Sequence, residues 1–258
     1  MATAFLVGAG PLAGQAGAAK KATAPDAMCG DGAFVRELDW RGYKGAWIPA
    51  EQLTTRDYPL IEVSRYHTDC EPTEDQVRAA EEFVVASYLE AVHRGWLDYE
   101  QSKRDGYVPY KPHLPRDNHY INVEFANDGR ILDPEYPEYL MYYDTTEGKK
   151  LVGFMYFVRS LEEQGPQFAR PLSVWHYHNS PEPGCIYQMQ MFGSKEGPDG
   201  YYCEKGELAN YQSPEMIHVW FVDHPEGPFA TTMRLAPEIL EKGIRPDLIE
   251  LADPSKRR

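Results

Sequence analysis

The run Leu151-Val152-Gly153-Phe154-Met155-Tyr156-Phe157-Val158 is eight residues long and almost wholly apolar. Its length and its aromatic and β-branched content read as the central strand of a sheet. Tyr139-Leu140-Met141-Tyr142-Tyr143 and the turn signal Thr145-Thr146-Glu147-Gly148 precede it as the other arm of a hairpin. Tyr120-Ile121-Asn122-Val123-Glu124-Phe125 alternates before the turn residues Asn127-Asp128-Gly129. Three further segments, Val174 to His178, Ile186 to Phe192 and Met216 to Val222, read as strands. One long helix stands upstream. Thr73 and Gln76 form a capping-box pattern, Glu74 and Asp75 suit the positive end of the helix dipole, and Val77, Ala80, Val84, Tyr88 and Ala91 recur at helical spacing to about Trp96. Many short strands and one long helix predict an α+β fold: a mainly antiparallel β sandwich or open barrel with the helix packed against it. Residues Pro237 to Leu251 suggest a short terminal helix.

At 258 residues the chain can bury one large core. Its formal net charge of -14 repels phosphate backbones and anionic membrane surfaces, so neither nucleic acid nor membrane is an expected partner. The first 19 residues carry no charge, and Ala16-Gly17-Ala18-Ala19 precedes Lys20-Lys21. That is the pattern of an export signal without its basic front, or of an Ala/Gly leader. The expected organisation is a leader over 1–28 and a single domain over 29–258, with export and a cytoplasmic location both open. Cysteines at 29, 70, 185 and 203 lack C-x-x-C spacing, which excludes a zinc knuckle. In an exported chain Cys185 would pair with Cys203 across a hairpin, leaving Cys29 with Cys70; in a cytosolic one all four would be small buried apolar side chains.

Histidine placement carries the functional signal. Residues i and i+2 of a strand share a face, so His176 and His178 of Trp175-His176-Tyr177-His178 project together. His218 belongs to another strand, in which Ile217, Val219 and Phe221 point the other way, and His119 opens a third. Three or four imidazoles suit one transition-metal ion, with Fe, Cu and Zn the candidates. The plainer reading is a set of histidines satisfied by hydrogen bonds in an aromatic patch. His67, His93, His113 and His224 occupy loop-like, charged or helix-end contexts and are read as structural.

Two resemblances bear on these residues. His176-x-His178, then Glu182 and Gly184, with His218 about forty residues on, resembles the metal signature of cupins, but the framing glycines are mostly absent and Glu182 falls in a Pro-Glu-Pro-Gly turn, which favours a surface role. More broadly, over about residues 73–235, the order Gly106-Tyr107-Val108-Pro109, His119-Tyr120-Ile121-Asn122, Leu132-Asp133-Pro134-Glu135, Leu151-Val152-Gly153, Trp175-His176-Tyr177-His178, Cys185 and Ile217-His218-Val219-Trp220 is similar to a family of mostly uncharacterised, often exported bacterial proteins. This chain departs from it at Asp117-Asn118 and in the longer turn before Cys185. The resemblance implies a histidine site and no particular reaction.

The functional expectation is a metal-dependent enzyme, an oxidoreductase before a hydrolase, acting on a small organic substrate. His119, His176, His178 and His218 are its ligands, Tyr120 and Tyr177 its candidate catalytic side chains, and Trp220 a pocket wall. The alternatives are a non-catalytic metal carrier and a metal-free β-domain that binds carbohydrate or another small ligand. No nucleotide loop or Gly-x-Ser-x-Gly motif is present, and Glu135/Glu138 and Glu162/Glu163 do not single out a glycosidase pair.

Overall fold

The computed structural model describes residues 71–114, 118–180, 182–210, 212–253 and 255, together with the backbone of three strands at 37–40, 43–46 and 60–63. The leader, His67 and the Cys29–Cys70 pairing lie outside the described residues. In chain order the elements are β1 (Glu37–Trp40), β2 (Tyr43–Ala46), β3 (Leu60–Val63), α1 (Glu74–His93), α2 (Tyr99–Arg104), β4 (Tyr107–Pro109) and β5 (His119–Asn122). Then follow β6 (Tyr139–Thr145), β7 (Gly148–Phe157), β8 (His176–Asn179), β9 (Gly184–Tyr187), β10 (Gln190–Gly193), β11 (Lys195–Gly197), β12 (Gly200–Tyr202), β13 (Glu207–Leu208), β14 (Met216–Trp220), α3 (Pro237–Lys242) and α4 (Pro246–Ala252).

Seven strands form one antiparallel sheet in the order β3-β8-β14-β7-β6-β5-β4, curled into a half-barrel. The fold is α+β, as the strand count and the single long helix predict. The apolar run of β7 lies at the centre, between β14 and β6. Both faces of this sheet are covered. On one, Ala80, Val84, Tyr88 and Ala91 of α1 pack with Tyr120, Leu140, Phe154, Tyr156, Ile217, Val219 and Phe221. On the other, Ile121, Tyr139, Met141, Met155, Trp220 and Ala230 form a second apolar cluster.

The capping box of α1 is formed: Thr73 Oγ1 accepts from the Gln76 N–H at 3.3 Å, and Gln76 Oε1 accepts from the Thr73 N–H at 2.8 Å. The helix stops at His93, three residues short of Trp96, because Gly95 takes a positive φ of 73° that turns the chain. Trp96 then buries its indole against Tyr107 and Phe154. Two strands are shorter than their alternation suggests. Asn122 Oδ1 accepts the N–H groups of Glu124 and Phe125, an Asx turn that ends β5 where the sequence reads on to Phe125. The segment Ile186 to Phe192 is a hairpin, not one strand, because Gln188 and Met189 both adopt positive φ and reverse the chain between β9 and β10. The disulfide Cys185–Cys203 is present, with Cα atoms 5.7 Å apart. Among the described residues no helix is long and apolar enough to cross a membrane.

Glu138 enters the helix-side layer just ahead of β6 and is 3% exposed, with Oε2 lacking a hydrogen-bond partner. Burial pushes its carboxyl up to about 9, so it is protonated at neutral pH. The folded chain then keeps a proton that the unfolded chain releases above about 4.5, and stability falls as pH rises from there through about 9. Denaturant unfolding across this window should show stability declining by up to ~1.4 kcal/mol per pH unit, with Glu138→Gln flattening the decline. An equally steep decline in the Gln variant would remove Glu138 as its source.

Candidate functional site

Strand alternation gathers four histidines on the face opposite α1. In β14, Ile217 and Val219 enter the helix-side core while His218 and Trp220 point the other way. In β8, the preceding Trp175 is buried in the helix-side core, which turns His176 and His178 outward to the second face. Trp175 is fixed there by its Nε1–H donating to the Pro166 carbonyl at 2.9 Å, with its ring over Gly165, where a Cβ would sit 1.9 Å from the indole. The rings form a chain: His178 to His176 at 5.5 Å, His176 to His218 at 4.7 Å, and His218 to His119 at 5.7 Å between centroids.

The last distance shows how far the sheet is curled. β14 and β5 are three strands apart, so a flat sheet would separate them by ~14 Å. Gly153 of β7 lies directly across from Trp220 of β14 and Met141 of β6, and Met141 faces His119 of β5. A Cβ on Gly153 would stand 2.2 Å from the Val219 carbonyl oxygen and 2.7 Å from the Met141 methyl. The absence of a side chain there lets the strands close around the concave face.

His176 and His218 are both 0% exposed. Burial pulls His176 down to about 3, only partly offset by the nearby Val174 carbonyl and worsened by His119. Burial likewise holds His218 well below its ordinary value, reinforced by His176 and His119. Both are neutral at physiological pH, each with a lone pair on one ring nitrogen. The His218 tautomer is set by its neighbour: Nδ1 lies 3.1 Å from the Ala230 carbonyl oxygen, which can only accept, so Nδ1 carries the hydrogen. The same carbonyl accepts from Trp220 Nε1–H at 2.9 Å. His218 Nε2 therefore carries the lone pair, and it has no hydrogen-bond partner; neither ring nitrogen of His176 makes a well-formed hydrogen bond.

Tyr120 and Tyr177 do not join the histidines. The alternation that places i and i+2 together sends i+1 to the other face. Tyr120 sits on the helix side, its ring 5.1 Å from Tyr99 and 5.4 Å from Tyr142. Tyr177 lines a separate cavity of about 280 Å³ with Glu162, Glu163 and Glu215. The aromatic groups beside the imidazoles are Tyr139, 6.2 Å from His119, and Trp220, 5.6 Å from His218. Trp220 in turn contacts the buried His224 at 4.9 Å, whose imidazole burial pulls down to about 4. Glu182 is exposed in the turn before β9, in keeping with a surface role, and His93 and His113 are partly or largely exposed. Sequence reasoning missed Tyr139, which carried no mark distinguishing it from other strand tyrosines. It also missed the Ala230 carbonyl, which no side-chain pattern can reveal.

Among the described residues, no group of three or more His, Cys, Asp or Glu side chains forms a set that could hold a metal ion as placed. No family model, curated protein or solved structure matches the chain.

Since Gly153 has backbone on one side and a buried methionine on the other, Gly153→Ala should destabilise the fold by ~1–3 kcal/mol in urea unfolding. A variant as stable as the parent would show that the close approach of β14 and β7 is not a constraint.

Proposed function

We propose that His119, His176, His178 and His218 hold one transition-metal ion, and that the protein is a metal-dependent oxidoreductase acting on a small organic substrate. The observation that carries this reading is the His176–His218 pair: two fully buried neutral imidazoles 4.7 Å apart, with His218 Nε2 lacking a hydrogen-bond partner and His176 offered only the nearby Val174 carbonyl. A buried polar nitrogen without a partner costs ~1–3 kcal/mol, and a bound ion is one partner that recovers it. Two imidazoles on one ion at ~2.1 Å have ring centres on the order of 4.5–5.6 Å apart. The observed spacings of 4.7, 5.5 and 5.7 Å fall in or beside that range. Rotation about the soft terminal torsion of histidine changes where a nitrogen points without moving the ring centre far. Such rotations would turn proximity into ligation.

His218 already has the arrangement that metal-bound histidines favour, with the far nitrogen donating to a backbone carbonyl. Tyr139 and Trp220 beside the imidazoles supply oxidisable side chains and an apolar wall for a small organic molecule. His119 and His178 are only partly buried, which gives the cluster its approach from solvent. Four imidazoles are also enough to saturate a tetrahedral ion, which would make the protein a carrier.

Elemental analysis of the purified full chain should find about one transition-metal ion per molecule, with His176→Ala and His218→Ala falling close to zero. At a free-metal concentration ~100 times Kd, the parent should gain ~2.7 kcal/mol of stability that the variants lack. Substoichiometric metal that His176→Ala leaves unchanged would sink the metal centre. If metal is bound, a spectral change on adding azide would mark an open position and an enzyme, and none would favour the carrier.

A further inference from the structure

The strand register places a methionine directly across from three of the four histidines. His119 of β5 is paired with Met141 of β6, His218 of β14 with Met155 of β7, and His176 of β8 with Met216 of β14. Met216 is also two residues from His218 on the same strand, so it flanks both buried imidazoles. Directly opposed residues have Cβ atoms ~4.5–5.5 Å apart, within the reach of a long unbranched side chain. Met141 and Met155 are buried in the apolar cluster of the histidine face, and Met189, Met216 and Met233 pack against it. The bland role of methionine is to fill irregular gaps. Methionine is only 8 of 258 residues, however, so its position opposite three of four histidines is not what indifferent gap filling produces.

Among the described residues, the carboxylates and cysteines placed so far stand away from the His176–His218 pair. Glu138 is on the helix side, Glu182 is exposed, and Glu162, Glu163 and Glu215 surround the Tyr177 cavity. Cys185 and Cys203 are consumed in their disulfide. The cluster therefore offers neutral nitrogen and neutral thioether sulfur. Solvation energy scales with the square of the charge, so burying a dication among neutral donors costs roughly four times as much as burying a monocation. Thioether donors select soft ions, copper(I) foremost.

We infer that the ion is copper, held in its cuprous form by the buried imidazoles of His176 and His218 with the thioethers of Met155 and Met216. This rests on the metal-centre reading above and amends its donor set, the two thioethers taking the places of the partly buried His119 and His178. Met141, opposite His119, extends the same soft surface toward the partly exposed end of the cluster.

The test uses the full chain, purified metal-free and handled without oxygen. Copper(I) is titrated in competition with bicinchoninate, zinc(II) is titrated separately with its own indicator, and X-ray absorption is recorded at the copper edge. Sulfur scattering beside nitrogen is expected in the parent, along with copper(I) affinity that falls about ten-fold or more in the Met155→Leu/Met216→Leu variant while zinc affinity holds. Leucine preserves volume and apolarity, so the fold should survive, and the parent spectrum does not depend on any variant. A copper spectrum with nitrogen alone, or an unchanged affinity in the double variant, overturns the thioether donors. Zinc bound through His176 more tightly than copper(I) overturns the copper assignment and leaves a metal centre standing. Failure to bind either ion in a His176-dependent way overturns the copper assignment, and together with substoichiometric metal in elemental analysis it overturns the metal centre as well.

Discussion

The structure depends on the curvature of its seven-stranded sheet. Neighbouring strands are held ~4.8 Å apart by backbone hydrogen bonds, so side chains on strands three places apart meet only if the sheet bends toward them. Here it bends away from α1. The convex layer takes the helix and most of the large aromatic rings, while the concave layer takes the methionines, Tyr139, Trp220 and the imidazoles. Gly153 and the register shift between Met141 and Tyr142 occur on adjacent strands at the middle of the bend. Removing one side chain and disturbing one ladder are common ways to curl a sheet. His119 reaches His218 because of that bend, although more than ninety residues of chain separate them.

Each face buries polarity that its apolar setting does not explain. On the convex side Glu138 stays protonated, and the Tyr156 hydroxyl lies fully buried beside it in an aromatic layer. On the concave side two imidazoles are held neutral and close together. The two cases differ in kind. A buried carboxyl can discard its charge by protonation and keep one hydroxyl donor. A neutral imidazole keeps a lone pair that only a donor or an ion can satisfy. His218 has one nitrogen committed to Ala230, which leaves the other aimed away from that carbonyl. The unpartnered imidazole lone pair of His218 is thus on the concave face.

Much of this was legible in the residues, and what was not has specific causes. Period-two alternation placed His176 with His178 and set His218 against Ile217, Val219 and Phe221. The same rule, applied one residue further, also excludes Tyr120 and Tyr177, whose adjacency in sequence had suggested adjacency in space. The capping box located the start of α1, while the effect of Gly95 on its end was hidden because a single glycine either breaks a helix or is tolerated within one. The turns at Asn122 and Gln188-Met189 are not visible in the sequence because they depend on side-chain and backbone bonds that composition does not mark. The cross-strand register, which brings Met155 and Met216 to the histidines, is a tertiary property that no local pattern encodes.

The hairpin of β9 and β10 shows the fold spending stability near the same face. Gln188 and Met189 hold positive φ values of 50° and 62° without being glycine, a conformation that costs ~1–3 kcal/mol each. An asparagine-glycine pair would make this turn without strain, so its shape alone does not account for the residues present. The strained tip is clamped from both sides. Gln190 Nε2–H donates to the Pro109 carbonyl at 2.7 Å, the Met191 N–H donates to the Tyr110 carbonyl at 2.8 Å, and Cys185 ties the base of β9 to Cys203. What the strain achieves is to lay Met189 against the apolar cluster that contains Tyr139, Met155 and Trp220. Tyr143 donates its hydroxyl to the Met233 carbonyl and fastens the segment after Ala230 against the same cluster. Local rules of turn chemistry are broken where the hairpin closes over the histidine face, as expected if that face must be kept dry around groups whose bonding is completed from outside the chain.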